Sequence, residues 1–239
     1  MVHPETDLIL YSVVFGDQYE YMTGCMTNSL KRNMPGVEHV VRKIAPAGGS
    51  QFVPAHVTDN NAKLWMWSDF VSSQPDDARV MLCDVDLLIL KDVRSVFDDG
   101  FDIAYTVRDA RVPFNSGVMF IRVNDRSRLF VHEWARASQR IVDMGRRAEF
   151  YIKDCVGGNQ KAFRDTKRIC VEWDDPPYIV PIPCEIWNCE QESYSKFSEE
   201  TRVLHVKGWL REAALHNVPQ HLVPDNCAAL LPICREYGY

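Results

Sequence analysis

Leu8-Ile9-Leu10-Tyr11-Ser12-Val13-Val14-Phe15 is apolar almost without interruption, and Gly16-Asp17 ends it. Such a run shows neither the alternation of a half-exposed strand nor the stripe of a surface helix. It reads as a strand covered on both faces, the mark of a parallel sheet flanked by helices. Arg79-Val80-Met81-Leu82-Cys83 is a second run of this kind, and Leu87-Leu88-Ile89-Leu90 continues extended beyond Asp84-Val85-Asp86. Glu38 to Lys43, Asp102 to Val107 and Gly117 to Val123 are further strand candidates.

Helical stripes alternate with these runs. Met22, Cys25, Met26 and Leu30 share one face, and Pro35-Gly36 stops that helix. Leu64, Trp67 and Val71 mark a second helix. Asn124 or Asp125 opens a third, carrying Phe130, Trp134, Ala137 and Ile141. Asp92 caps a short helix bearing Val93 and Val96-Phe97, and Ala45 to Asn61 reads as a loop. Asn159 to Phe163 reads as helix, Arg168 to Trp173 as extended, and Asp225 to Tyr237 as a final amphipathic helix in which Pro232 is an awkward residue. The alternation predicts one α/β domain over 1–239, with a Rossmann-like, mostly parallel central sheet. Ligands of such sheets sit at the carboxyl ends of the strands, which puts the Gly16 loop and the Asp84 loop on one edge.

The chain has 239 residues, 46% of them apolar, enough for one substantial core. Its formal net charge is -6, so a partner held by phosphate neutralisation, such as a nucleic acid duplex, is not expected. Leu8 to Phe15 is too short to span a bilayer, and no charged leader or cleavage site accompanies it. The cysteines include no Cys-x-x-Cys pair, so zinc is not signalled, and without a signal peptide a cytoplasmic protein with free thiols is the expectation.

Three blocks carry chemistry. Asp84-Val85-Asp86 follows a buried strand directly and precedes another apolar run. Two carboxylates held there cost several kcal/mol in desolvation unless a cation pairs with them, and hard oxygen ligands suit Mn²⁺ or Mg²⁺. The bare tripeptide also describes a turn with two solvated carboxylates. Asn115-Ser116-Gly117 places small polar residues at the entry to a strand, where a ligand can approach the backbone. Val203-Leu204-His205-Val206-Lys207-Gly208-Trp209 sets a histidine at a strand end, a competent metal ligand through its neutral ring. Lys207 adds a compact positive charge for phosphate, and Gly208 an unobstructed N–H.

In this order the blocks resemble the GT-A fold nucleotide-sugar transferases, most closely the glycogenin-like branch (glycosyltransferase family 8) and its bacterial and viral relatives. The resemblance covers roughly residues 7 to 210. It implies that Tyr11, Val13, Phe15 and Gly16 hold the nucleotide, and that Asp84, Asp86 and His205 bind the metal, with Val85 between the carboxylates. It further implies that Asn115, Ser116 and Gly117 line the sugar pocket, and that Lys207 and Gly208 meet the diphosphate. Lys63 matches a basic residue near nucleotide or sugar. Asn159-Gln160 stands where the family has an Asp-Gln pair beside the reacting sugar, so Gln160, Asn159 and the nearby Asp154 are the catalytic candidates. The Asn in place of Asp is a departure. A second is that His205-Val206-Lys207-Gly208 is more compact than the family's His-x-x-Gly-x-x-Lys.

The implied activity is a metal-dependent transfer of sugar from a nucleoside-diphosphate sugar, UDP at family level, to an acceptor hydroxyl with retention. The nucleotide side is expected in about 1–123 and the acceptor side in about 124–239. Trp173, Tyr178, Trp187 and Tyr194 are candidate acceptor-side aromatics. One alternative keeps the fold and acts on modified DNA bases or viral glycans, with Arg126, Arg128, Arg136, Arg140, Arg146 and Arg147 as local basic charge. Another is an inactive nucleotide- or sugar-binding module. A nucleotidyltransferase would need a Gly-rich phosphate loop, which Gly16-Asp17-Gln18-Tyr19 does not supply.

Overall fold

The computed structural model describes residues 8–46, 49, 53–110, 112–153, 155 and 157–239. The chain runs through β1 (Ile9–Phe15), α1 (Glu20–Asn33), β2 (Glu38–Ile44), α2 (Ala55–Ser73), β3 (Arg79–Cys83) and β4 (Leu87–Ile89). It continues through β5 (Ile103–Val107), β6 (Phe114–Arg122), α3 (Asp125–Asp143), α4 (Ala148–Ile152) and α5 (Gly158–Cys170). The last elements are β7 (Ile179–Pro183), α6 (Cys184–Trp187), β8 (Val203–His205), α7 (Gly208–Leu215), α8 (Asp225–Ala228) and α9 (Leu231–Glu236).

Six strands form the central sheet in the order β2-β1-β3-β6-β5-β7. Five share one direction, and β6 alone runs against both neighbours. The short connection from β5 to β6 is the cause, because a tight hairpin reverses the chain whereas a parallel return needs a crossover. This reversal matters for the site. The amino end of β6, with Asn115-Ser116-Gly117, meets the carboxyl ends of β1 and β3 at one edge. The β5–β6 register also jumps between Tyr105, opposite Met119, and Thr106, opposite Asn115, so residues 116–118 leave that ladder.

Alternate side chains of the sheet feed two cores. Val13, Val80, Leu82, Ile103, Met119 and Ile121 pack with Trp67 of α2, Trp134 of α3 and Phe163 of α5. Leu10, Met81, Cys83, Ala104, Val118 and Phe120 pack on the other side with Met26, Leu30, Phe97 and Phe101. A third cluster joins Met22 and Leu88 to the C-terminal helices. α3 starts where the sequence placed it. The Asn124 side chain accepts from Ser127 N–H at 2.9 Å, and Ser127 Oγ accepts from Asn124 N–H at 3.0 Å, a reciprocal cap.

Several sequence expectations shift. α2 begins at Ala55, inside the expected loop, because its first turns carry polar His56, Asp59 and Asn60 on the face that lines the functional cleft. An apolar stripe is thus visible only from Leu64. α5 runs to Cys170, so Arg168 to Cys170 are helical rather than extended. Buried Asn159, Ala162, Phe163, Thr166 and Cys170 keep helical spacing throughout. The final helix is two, with Pro232 in the first turn of the second, where its missing N–H costs nothing. The short helix after β4 runs Arg94–Asp99 with Val93, not Asp92, at its N-cap, and Asp92 instead accepts from Arg94 N–H at 2.8 Å from one residue further out. The buried Cys25, Cys83, Cys170, Cys184, Cys189, Cys227 and Cys234 are free thiols. Among the described residues no helix is long and apolar enough to cross a membrane.

Trp134 is fully buried where α3 meets Trp67, Phe114 and Phe163. Trp134→Ala is expected to lower the unfolding free energy by about 3–5 kcal/mol in urea denaturation. A loss below about 1 kcal/mol would mean that this aromatic cluster is not the support of the helical layer.

Candidate active site

β4 lies outside the central sheet and pairs with β8 alone. The chain therefore bends at Val85 and Asp86 as it passes from one sheet to the other, rather than staying extended. Backbone bonds hold the bend on both sides: Asp84 N–H donates to Gly117 C=O at 2.9 Å, and Val206 N–H to Asp86 C=O at 2.7 Å. The β4–β8 register sets His205 opposite Leu87. A histidine 119 positions away thus arrives beside Asp86, its Nε2 at 2.9 Å from Asp86 Oδ1 and 3.8 Å from Asp84 Oδ2.

One ligand atom from each of Asp84, Asp86 and His205 lies within 4.8 Å of the others. The donor set fits a hard or borderline divalent cation. The 2.9 Å between Nε2 and Oδ1 is close to the edge of an octahedron with arms of about 2.1 Å, which is about 3 Å. Gly117 belongs to this geometry. A Cβ there would stand 2.3 Å from His205 Cε1 and 2.7 Å from Nδ1, so only glycine leaves room for the ring.

Charge around the triad is mostly positive. Lys63, itself buried, pairs with Asp84 Oδ1 at 2.8 Å and lies over the Trp67 ring. Arg211 approaches Asp86 Oδ2 at 3.6 Å. Burial by itself would raise both carboxyls, but Lys63, Lys207 and His205 outweigh it at Asp84. At Asp86 the protonated form of His205, with Lys207 and Arg211, does the same, so both carboxyls are held below the usual range. Burial, then Lys207, lowers the His205 imidazole and favours the neutral ring that ligates metals.

Two cavities lie at this edge: Asp84 and Asp86 line the first, and the second touches it at Arg211. The first, of about 260 Å³, is lined by Val13, Phe15, His56, Lys63, Asp84–Asp86 and Arg211. The second, of about 250 Å³, is lined by Arg108, Asn115, Gln160, Glu190, Lys207 and Arg211, among others. Arg211 belongs to both. Sequence reading passed over it, although His205-x-x-Gly208-x-x-Arg211 has the His-x-x-Gly-x-x-Lys spacing with Arg for Lys. The apparent compactness of the motif came from taking Lys207 as its basic member. Arg108, Glu190 and Glu192 were also unmarked. Arg108 pairs with the buried Glu190, and with Glu192 at 2.8 Å.

The other expected residues fall into distinct places. Tyr11 is buried, its ring stacked on Phe70 at 3.9 Å, and it does not line the first cavity. Gly16 ends β1 at φ 75°, ψ −176°, a backbone that a side chain would strain. Asn115 Oδ1 accepts from Gly117 N–H at 2.7 Å. Ser116 Oγ accepts from the Asn159 amide at 2.7 Å, which ties α5 to the strand entry. Gln160, next along, borders the second cavity and an apolar one of about 440 Å³ beneath Tyr105, Phe114 and Phe163. Gly208, at φ 51°, starts α7. Asp154 lies outside the described residues. The four aromatics expected together are apart: Trp173 packs on Phe130, Trp187 on Phe120, Tyr178 is exposed, and the Tyr194 hydroxyl donates to His205 C=O at 2.5 Å.

No protein-family model matches the chain, and no curated protein matches its sequence. Solved structures match in three dimensions. A glycosyltransferase involved in glycosylation of the major capsid of PBCV-1 superposes with TM-score 0.60 at 13% identity, covering 88% of this chain and 98% of that one. The galactosyltransferase LgtC, in complex with donor and acceptor sugar analogues, gives 0.54 at 12% identity over 96% and 94% of the two chains. Mouse xyloside xylosyltransferase 1 gives 0.50 at 12% identity over 83% and 97%. The chain has the GT-A glycosyltransferase fold.

Gly117→Ala is expected to displace the His205 ring and weaken Mn²⁺ binding at least about tenfold in a calorimetric titration. Unchanged affinity would remove His205 from the ligand set. A pH effect follows from Glu190, whose carboxyl is pushed up to about 7 by burial, then by its hydrogen bond to Glu192. The folded state binds this proton more tightly than the unfolded one. Its contribution to stability is full below about pH 4.5 and is lost as pH rises through about 7. Glu190→Gln should therefore flatten the fall in urea midpoint between about pH 5 and pH 8, and an unflattened curve would place the proton elsewhere.

Proposed function

We propose that the protein is a metal-dependent glycosyltransferase that moves a sugar from a nucleoside-diphosphate sugar to an acceptor hydroxyl. The observation that carries this reading is the convergence of Asp84, Asp86 and His205 on the strand-end edge of a GT-A sheet, where the two carboxylates line a cavity that shares Arg211 with a second one. A Mn²⁺ or Mg²⁺ ion held by these three would act as a Lewis acid toward the diphosphate. The nucleotide lies in the first cavity against Val13 and Phe15, and the sugar lies in the second.

Formal charge supports a diphosphate at the junction. Asp84 and Asp86 bring two negative charges, while Lys63, Lys207 and Arg211 bring three positive ones. With a divalent cation these five side chains alone leave an excess of three positive charges beside the diphosphate. A sugar diphosphate bears two negative charges and the departing nucleoside diphosphate about three, so complementarity improves as the leaving group departs. Arg211 and Lys207 stabilise that developing charge. Gln160 and Asn115 position the sugar, and Asn159 holds α5 against Ser116.

No strong protein base is required. In a front-face transfer the bond from the anomeric carbon to phosphate oxygen breaks, the bond to acceptor oxygen forms on the same face, and the acceptor proton passes to the departing phosphate. Configuration is then retained, and uridine is the base that the sequence resemblance implies. Three of the six arginines that would serve a nucleic acid acceptor, Arg126, Arg128 and Arg136, are paired with Asp102, Asp76 and Glu133, and the net charge of -6 also argues against such an acceptor. A carbohydrate acceptor is the analogy with LgtC, whose structure holds an acceptor sugar analogue.

Thermal melts with UDP, GDP, CDP and ADP, each with Mn²⁺ or with chelator, test the reading. One nucleotide should raise the melting temperature only with metal, and Asp86→Ala should abolish the rise. Asp86→Ala should also cut turnover of the matching nucleotide-sugar by about 10²-fold or more. If no nucleotide with Mn²⁺ shifts the wild type, a binding or scaffolding role takes precedence.

A further inference from the structure

Asn188 follows α6, belongs to none of the sequence motifs and is fully buried. Its side chain bridges three parts of the site. Oδ1 lies 2.9 Å from His205 Nδ1, while Nδ2 lies 2.9 Å from Thr106 Oγ1 and 3.2 Å from Asn115 Oδ1. The orientation of this amide is determined by what surrounds it. Asn115 Oδ1 accepts from Gly117 N–H, which identifies that atom as a carbonyl oxygen. Thr106 Oγ1 donates its proton to Asn115 C=O at 3.0 Å, so its lone pairs face Asn188. The Asn188 NH₂ group therefore meets two acceptors, and a flipped amide would set oxygen against both.

Asn188 Oδ1 is thus left facing His205, and a carbonyl oxygen can only accept. We propose that Asn188 is a positioning residue that holds His205 in the Nδ1–H tautomer, turning the Nε2 lone pair toward Asp86 and the metal seat. The hydrogen bond at one ring nitrogen decides which nitrogen is left to ligate. Nε2 and the Asp86 carboxylate, 2.9 Å apart, are then two acceptors face to face, an arrangement that a shared cation satisfies. The inference rests on the metal reading above but assigns a role to a residue outside the ligand set.

The test begins with the wild-type protein free of metal. Long-range ¹H–¹⁵N spectra of histidine-labelled protein at about pH 8, above the ordinary histidine pKa, report which ring nitrogen is protonated, with His205 assigned by its loss in His205→Gln. A protonated Nδ1 with an unprotonated Nε2 is expected, and an unprotonated Nδ1 or a doubly protonated ring overturns the proposal. Mn²⁺ binding followed by electron paramagnetic resonance supplies the second arm. Asn188→Leu, which keeps bulk but loses the acceptor, should weaken Mn²⁺ about 10–100-fold. Asn188→Asp, which keeps the acceptor for Nδ1–H but loses the donor to Thr106 and Asn115, should weaken Mn²⁺ clearly less than Asn188→Leu does. Wild-type affinity in Asn188→Leu overturns the proposal. If that variant does not fold, the wild-type spectrum decides. A wild type that takes up no Mn²⁺ yet shows a protonated Nδ1 would defeat the transferase reading while supporting the lock.

Discussion

The pairing of β4 with β8 is the contact on which the candidate site depends. Each strand has three residues, and such a pair would not persist alone in water. It persists here because Leu87, Leu88, Ile89, Val203 and Leu204 are all fully buried, between the face of the main sheet and the C-terminal helices. The hydrophobic effect thus holds together a ladder whose register then sets His205 against the Asp86 end of the metal loop. Register in a strand pair is discrete: a slip by one residue would turn the imidazole to the opposite face. Burial energy spread over five aliphatic side chains is converted into placement of one nitrogen atom.

The polar groups around that nitrogen are buried to an extent that requires mutual satisfaction. His205 and Asn188 are fully buried, and Asp86, Asn115, Ser116 and Asn159 nearly so. Each unpaired group there would cost about 1–3 kcal/mol. The network answers this with few atoms: Gly117 and Asn188 both donate to Asn115 Oδ1, Thr106 bridges Asn188 to the Asn115 backbone, and Asn159 reaches Ser116. β6 supplies the common platform, and its reversed direction puts these residues at the ligand edge. The Lys63–Asp84 pair sits at the same edge. A buried ion pair of this kind does little for stability on balance, so its location argues for a role in the electrostatics of the cleft.

How much of this was legible in the sequence differs from element to element. The runs at Leu8 to Phe15 and Arg79 to Cys83 read correctly as strands because burial on both faces leaves an unbroken apolar string. The amino end of α2 was misread because His56, Asp59 and Asn60 face the cleft, and a helix that turns a polar face inward carries no apolar stripe. Asp84, Asp86 and His205 could be named from their motifs. Arg211 had a readable spacing that Lys207 masked. Asn188 had no signal at all, since an asparagine after a short helix looks like any turn residue.

The amino-acid sequence by itself determined the α/β class, the strand-end location of the Asp-x-Asp and the identity of the residues that converge there, because these follow from local patterns of burial and side-chain chemistry. Tertiary structure alone decided the reversal of β6, the separate β4–β8 ladder, the sharing of Arg211 by two cavities and the contact between Asn188 and His205. These are pairings between segments far apart in the chain. Their geometry is set by sheet register and packing, which no window of sequence contains.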